Sequence, residues 1–330
     1  MQRVLACVAV VLLAGAHVCA GDTKQSFRLP ARAPEPADNR NTSERKELGK
    51  MLFFDPRLSG SNRISCATCH NPALDWSDGL PMAIGDDRKA LKRRTPTLVN
   101  TGFNNLHMWD GRFNSLEEQA WGPILSAGEM HATEEETLAK LRAIPEYVIA
   151  FERAYADEGV TKATVAKALA NFERTLTSRD SDFDRWIEGD ESAISPAAKK
   201  GFELFKGKAN CAACHQGANF TDQGFHNIGI KGAEDEGRFA KVPVKISRGA
   251  FKTPTLRDVA VRGPYMHNGA YRTLEEVIDH YDRGGDEKSN LDPNMKLLQL
   301  SKNDKRCLLE FMKSLTGRQA MVRAPKLPAQ

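Results

Sequence analysis

Two Cys-x-x-Cys-His runs, Cys66-Ala67-Thr68-Cys69-His70 and Cys211-Ala212-Ala213-Cys214-His215, carry the chemistry of this chain. In such a run the two thiols add to the vinyl groups of a haem, and the adjacent histidine ligates its iron. A lone Cys-x-x-Cys is ambiguous between zinc, a redox dithiol and coincidence. A zinc reading needs paired half-sites. Here the two pairs lie far apart, and each is followed directly by histidine. The runs point to two covalent haem c groups, with His70 and His215 as proximal ligands.

Residues 1–20 read as a secretory signal peptide, with Arg3 as the positive start, an apolar run from Val4 to Ala14 and a small-residue cleavage site at Val18-Cys19-Ala20. That run is too short to span a bilayer, and no later segment approaches one. Lipid attachment at Cys19 is the weaker alternative, because Val18 is bulky for that role. Haem c attachment occurs outside the bacterial inner membrane, so signal and motifs agree on the periplasm. Of 7 cysteines, Cys7 and Cys19 leave with the signal and four carry haem. Cys307 is left without an intramolecular partner. Its setting, Cys307-Leu308-Leu309-Glu310-Phe311, reads as the buried stripe of a C-terminal helix, where a thiol acts as a small hydrophobe. The formal charge of +4, before any haem carboxylates, gives no sign of a nucleic-acid partner.

Helix-favouring segments such as Thr164 to Leu176 and Asp304 to Leu315 dominate, and alternating strand patterns are scarce. The expected fold is mostly α, with long loops wrapped around haem. Residues 21–42 are polar and contain Pro30, Pro34 and Pro36, which suits a flexible leader. Beyond them the chain reads as two cytochrome c-like haem domains related by internal duplication, 43–194 and 195–330. Thr95-Pro96-Thr97-Leu98 recurs as Thr253-Pro254-Thr255-Leu256, Met108-Trp109-Asp110-Gly111 as Met266-His267-Asn268-Gly269, and Ser115-Leu116-Glu117-Glu118 as Thr273-Leu274-Glu275-Glu276. All three pairs keep one offset without a gap. The boundary is expected near Ser192 to Ser195, where Pro196 starts a new helix.

The duplication also compares the two sites. Trp109 matches His267, and Pro123 matches Tyr281. If the second position overlies the iron, Pro123 offers no ligand atom and Tyr281 offers a phenol oxygen. One haem is then open to a small substrate and the other capped. Met266, Met295 and His280 compete with Tyr281 for the cap.

These residues resemble the bacterial di-haem cytochrome c peroxidase superfamily over essentially the whole mature chain. The resemblance rests on Leu52-Phe53-Phe54-Asp55-Pro56-Arg57-Leu58, both haem motifs, Trp109-Asp110-Gly111-Arg112 and Pro264-Tyr265-Met266-His267-Asn268-Gly269. Within it the chain looks closer to the MauG-like branch. Conventional members carry a blocking histidine at or near the place of Asp86, and methionine at the place of Tyr281; this chain has neither. The resemblance implies Glu129 as catalytic acid/base, Gln119 as its hydrogen-bonding partner, Trp109 between the haems and Pro123 over the open one. It also implies one calcium ion, held by the Asn100 side chain and the backbone carbonyls of Arg262 and Pro264.

The expected activity is that of a haem peroxidase acting on hydrogen peroxide. It drives haem iron to a high-valent state and oxidises an aromatic residue of a partner protein. The alternative is a cytochrome c peroxidase reducing peroxide to water with electrons from a small cytochrome or cupredoxin. A bare electron carrier is the third reading, disfavoured by the missing distal ligand at the first haem. Family members include monomers and homodimers.

Overall fold

The structure is a computed structural model that describes residues 23–232 and 234–329. The segment read as a signal peptide lies outside the described residues. Every long helix but one, which starts on Pro145 after Ile144, begins where a hydroxyl side chain takes up an orphan N–H of its first turn. Thr42 opens α1 (Ser43–Phe54), Ser115 opens α3 (Leu116–Leu125), Thr133 opens α4 (Glu134–Arg142) and Thr161 opens α6 (Lys162–Glu173). Between them lie α2 (Cys66–Cys69), formed by the first haem motif, and α5 (Pro145–Ala154). In the second half, α7 (Asp182–Ile187), α8 (Pro196–Lys206), α9 (Leu274–Asp282) and α10 (Lys302–Ser314) start on Ser181, Ser195, Thr273 and Ser301. Pro196 does stand at the start of α8, as its fixed φ favours. Both α6 and α10 begin ahead of the apolar runs that announced them, because Thr161 and Ser301 set the first turn through capping boxes.

Two apolar clusters follow. In the first, Phe53 of α1 packs edge-on against Trp76 and beside Phe172 of α6. In the second, Phe202 of α8 and Phe311 of α10 close around Phe183 and Phe220. Both use the same helix crossing. A Cβ on Gly49 would overlap the Ala168 carbonyl of α6, and one on Gly201 would overlap the Cys307 carbonyl of α10. Cys307 is buried there, as its apolar setting indicated. Neither carbonyl can move without breaking its helix, so Gly201→Val should cost about 1–3 kcal/mol or more, read as a lower thermal midpoint of the haem-loaded protein.

The repeat persists in three dimensions. Asn100 and Asp258 share φ near +60° (60° and 59°), and Met108 and Met266 are both at 70°. The bridge His107–Phe113 recurs as Tyr265–Tyr271, and α9 starts at the position matching the start of α3. The only paired strands among the described residues, β1 (Phe225–His226) and β2 (Phe251–Lys252), form one short antiparallel ladder.

One organisational expectation needs correction. The leader is laid on the body: Phe27 is 4% exposed inside the second cluster, and Asn39 is 1% exposed, its amide bonded to Glu117 and Lys167. Its prolines set direction while its apolar and amide side chains find buried partners. The change of core also comes before residue 195, because Phe183, Trp186 and Ile187 of α7 already belong to the second cluster. At the other end, the tail returns to the first half, where Val322 packs on its core and Arg57 donates to the Pro328 carbonyl at 3.1 Å.

Candidate active site

One continuous cavity of about 1140 Å³ runs past both haem motifs and is lined by Cys66, Cys69, His70, Cys211, Cys214 and His215. Each histidine is set by its backbone: Nδ1 of His70 faces the Trp76 carbonyl at 3.0 Å, and Nδ1 of His215 faces that of Phe220 at 3.0 Å. A carbonyl there selects the Nδ1–H tautomer and leaves Nε2 as a lone-pair donor, the form in which imidazole ligates a metal. Burial pushes both imidazoles down, His215 to about 4, so they are neutral near pH 7. Paired thiols on the cavity wall beside a neutral, oriented imidazole fit haem c in both halves.

The four residues expected around the open haem all line this cavity. Gln119 and Pro123 stand one turn apart on α3 and so share a face. Glu129 sits in the turn after that helix, its N–H held by the Ser126 carbonyl at 2.9 Å. Burial raises the pKa of its carboxyl, against lowering by Ser126 and Arg112. Gln119 does not bond Glu129; its amide points at Met108 Sδ, 3.8 Å away. Trp109 donates from Nε1 to the Arg94 carbonyl at 2.8 Å and meets His267 edge-on at 6.4 Å. The second half clamps this segment, with Lys252 N–H on the Trp109 carbonyl at 2.8 Å and Arg238 on that of Asp110 at 2.8 Å.

Tyr281, on α9, lines the cavity, and its phenol is pushed well above the ordinary tyrosine range by burial and then by the Cys211 and Cys214 thiols. A phenolate there needs a cation beside it. Of the competitors, His280 is ruled out, since its Nδ1 meets Tyr271 at 2.8 Å and its Nε2 the Ile228 carbonyl at 2.9 Å. Met266 and Met295 remain on the cavity wall. His267 stacks on Phe251 at 3.7 Å, a core role.

Two of the residues expected to hold calcium are bonded to other groups of the chain. The Asn100 side-chain oxygen accepts the Ser178 N–H at 3.2 Å, and Asn100 does not line the cavity. The Arg262 carbonyl, another expected ligand, accepts Nη2 of Arg94 at 2.5 Å. Pro264 follows a cis peptide bond beside these groups. A guanidinium already bonded to the ligand oxygen repels a second cation, so these residues do not fit calcium.

Two features were missed at the level of sequence. Arg94 and Lys252 occupy matched positions directly before the repeated Thr-Pro-Thr-Leu, and both are buried cations (7% and 8% exposed). Their shared register was the signal. The other is the fastening of the loop that carries Asp86. Its carboxylate accepts the Ser61 N–H at 3.3 Å and the Ser61 hydroxyl, and its own N–H donates to the Glu129 carbonyl at 2.8 Å. Only a pattern joining residues 61, 86 and 129 would have exposed it.

Comparison with known proteins agrees with this geometry. A model of the di-haem cytochrome c peroxidase family matches residues 43–192, and one for cytochrome c matches 198–316. The methylamine utilization protein MauG of Methylorubrum extorquens is 45% identical over 97% of this chain and 94% of its own. The cytochrome c551 peroxidase of Pseudomonas aeruginosa is 35% identical over 91% of this chain and 86% of its own. The crystal structure of a MauG-like protein associated with microbial copper homeostasis superposes with a TM-score of 0.82 at 30% identity, covering 88% of this chain and 95% of that one. No helix among the described residues is long and apolar enough to cross a membrane. With both haem motifs opening on one cavity and relatives of this kind spanning nearly its whole length, this chain belongs to the di-haem cytochrome c peroxidase family, as a haem peroxidase-type oxidoreductase carrying two haem c groups.

Proposed function

We propose that this protein, exported to the periplasm, couples reduction of hydrogen peroxide at the first-motif side to oxidation of an aromatic side chain on a partner protein. The observation that carries the reading is the unlike pair at matched positions of one cavity, Pro123 and Tyr281. When bound, the haems supply the redox chemistry by which peroxide takes up two electrons and two protons to give water.

The chain's own residues supply the rest. Pro123 presents no lone pair, so it would leave a haem held by His70 free to take a small guest. The pinned Asp86 loop brings no imidazole there, so no reductive unblocking is required. Glu129 takes a proton from the nearer peroxide oxygen and returns it to the farther one, which leaves as water. Gln119 lines the same cavity with its amide turned to Met108. Trp109 is held from both halves, a fixed aromatic group along the path for electrons between the two sites. Tyr281, on the cavity wall, would offer a haem held by His215 an oxygen ligand, which would favour oxidised iron over reduced iron more strongly than a thioether does. Two electrons drawn from the partner's aromatic residue balance those taken by peroxide.

A second reading is supported by the likeness to the cytochrome c551 peroxidase of Pseudomonas aeruginosa: the same site fed by a small cytochrome or cupredoxin. Electron paramagnetic resonance of the all-ferric protein, before and after one equivalent of peroxide, separates the two. We expect one high-spin and one low-spin signal, both lost without prior reduction, and mass spectrometry should then find a modified aromatic residue on a candidate partner. Two low-spin signals, inert until an electron is added, would overturn the proposal and favour the second reading.

A further inference from the structure

We propose that the guanidinium of Arg94 occupies the place of a metal cation at the junction of the two halves, so that this chain binds no calcium there. Arg94 is buried and touches both halves. Its Nη2 donates to the Arg262 carbonyl at 2.5 Å and to Ser77 Oγ at 3.3 Å. Its own N–H donates to the His267 carbonyl at 2.7 Å, and its carbonyl accepts the Trp109 indole N–H at 2.8 Å. One side chain thus puts a fixed positive charge on the carbonyl where the family resemblance puts an ion, and its backbone holds the tryptophan between the motifs.

The surroundings are tuned for an organic cation. The Arg262 guanidinium, also buried, donates to the Thr255 carbonyl at 2.8 Å and lies 3.5 Å from Asp75. Two guanidinium groups already oppose each other here, and burial followed by Arg262 holds Arg94 down to about 10. A divalent ion on the Arg262 carbonyl would meet both. Each nearby carboxylate has one oxygen bonded within the chain, Asp258 to the Gly317 N–H at 2.7 Å and Asp75 to the Gln319 amide. The second oxygen of each is buried without a hydrogen-bond partner among the described residues, and that of Asp75 lies 3.5 Å from the Arg262 guanidinium. Hard oxygen ligands without a competing cation, the usual setting for calcium, are not provided. Arg94 Nε is buried with no hydrogen-bond partner among the described residues, and the residue lines the cavity.

The inference stands whether or not the partner-oxidation reading holds, because its test reads metal content and stability. Haem-loaded wild-type protein, dialysed against calcium chloride and then desalted, should retain less than about one-tenth of a calcium ion per chain, and a chelator should leave its thermal midpoint unchanged. Haem-loaded Arg94→Gln should melt several degrees lower, and added calcium should recover part of that loss. A wild-type protein holding one calcium whose removal lowers the midpoint would overturn the proposal. So would an Arg94→Gln midpoint that does not fall, or a fall that calcium cannot repair, since Arg94 would then be a packing residue. If the variant does not fold, the wild-type metal content and chelator response decide alone.

Discussion

Glu129→Gln should slow the reaction with hydrogen peroxide by about 10²–10⁴-fold while both haems stay attached, the loss expected when a positioned acid/base is removed. In energy this is about 3–5 kcal/mol of barrier. Glutamine keeps the volume and the hydrogen-bonding reach but cannot accept a proton. The wild-type pH profile should carry the same signature. Burial raises the Glu129 pKa above its ordinary value of 4.5. Only the ionised carboxylate can take the first proton from peroxide, so the rate should fall as pH drops through that raised pKa. Glu129→Gln should lose this acid limb. Stopped-flow mixing with peroxide across pH checks both points; a variant that is slow but keeps the limb would assign the proton transfer to another group.

Arg257→Ala should destabilise the haem-loaded protein by about 3–5 kcal/mol, the scale for breaking one side of a buried ion pair. Arg257 is 1% exposed, and its Nη1 meets both Asp184 oxygens at 3.0 Å. The same guanidinium donates from Nε to the Ala218 carbonyl at 2.8 Å and from Nη2 to that of Phe27 at 3.1 Å. One side chain therefore joins the leader, α7 and the loop after the second haem motif. Removing it leaves the Asp184 charge with only its Ser181 hydrogen bonds and strands two buried carbonyls. Adding Asp184→Asn should return part of the loss, because the stranded charge is gone. Denaturant titration followed by circular dichroism reads both values. A single variant within about 0.5 kcal/mol of wild type would place Arg257 among surface-like substitutions.

The haem motifs, the helix start at Pro196 and the repeat were legible in the chain. The reason is that each is a local pattern: a pentapeptide, a proline whose fixed φ suits a first turn, three blocks in one register. The repeat made Pro123 and Tyr281 comparable before any coordinates, and the bridges His107–Phe113 and Tyr265–Tyr271 carry that register into space. Tertiary structure decided everything that depends on which distant groups meet. Polar and proline-rich composition marked the leader as flexible, yet Phe27 completes an aromatic core made by residues far along the chain. Gln119 and His280 carry side chains suited to the site, but Met108, Tyr271 and Ile228 determine where their polar atoms turn. The proposal that no calcium binds rests on the same kind of meeting. A ligand carbonyl is defined by what else reaches it, and the Arg94 guanidinium arrives from a loop of the other half to bond the Arg262 oxygen. Spacing along the chain specifies which groups are present, and the balance of buried charge between the halves specifies which cation they hold.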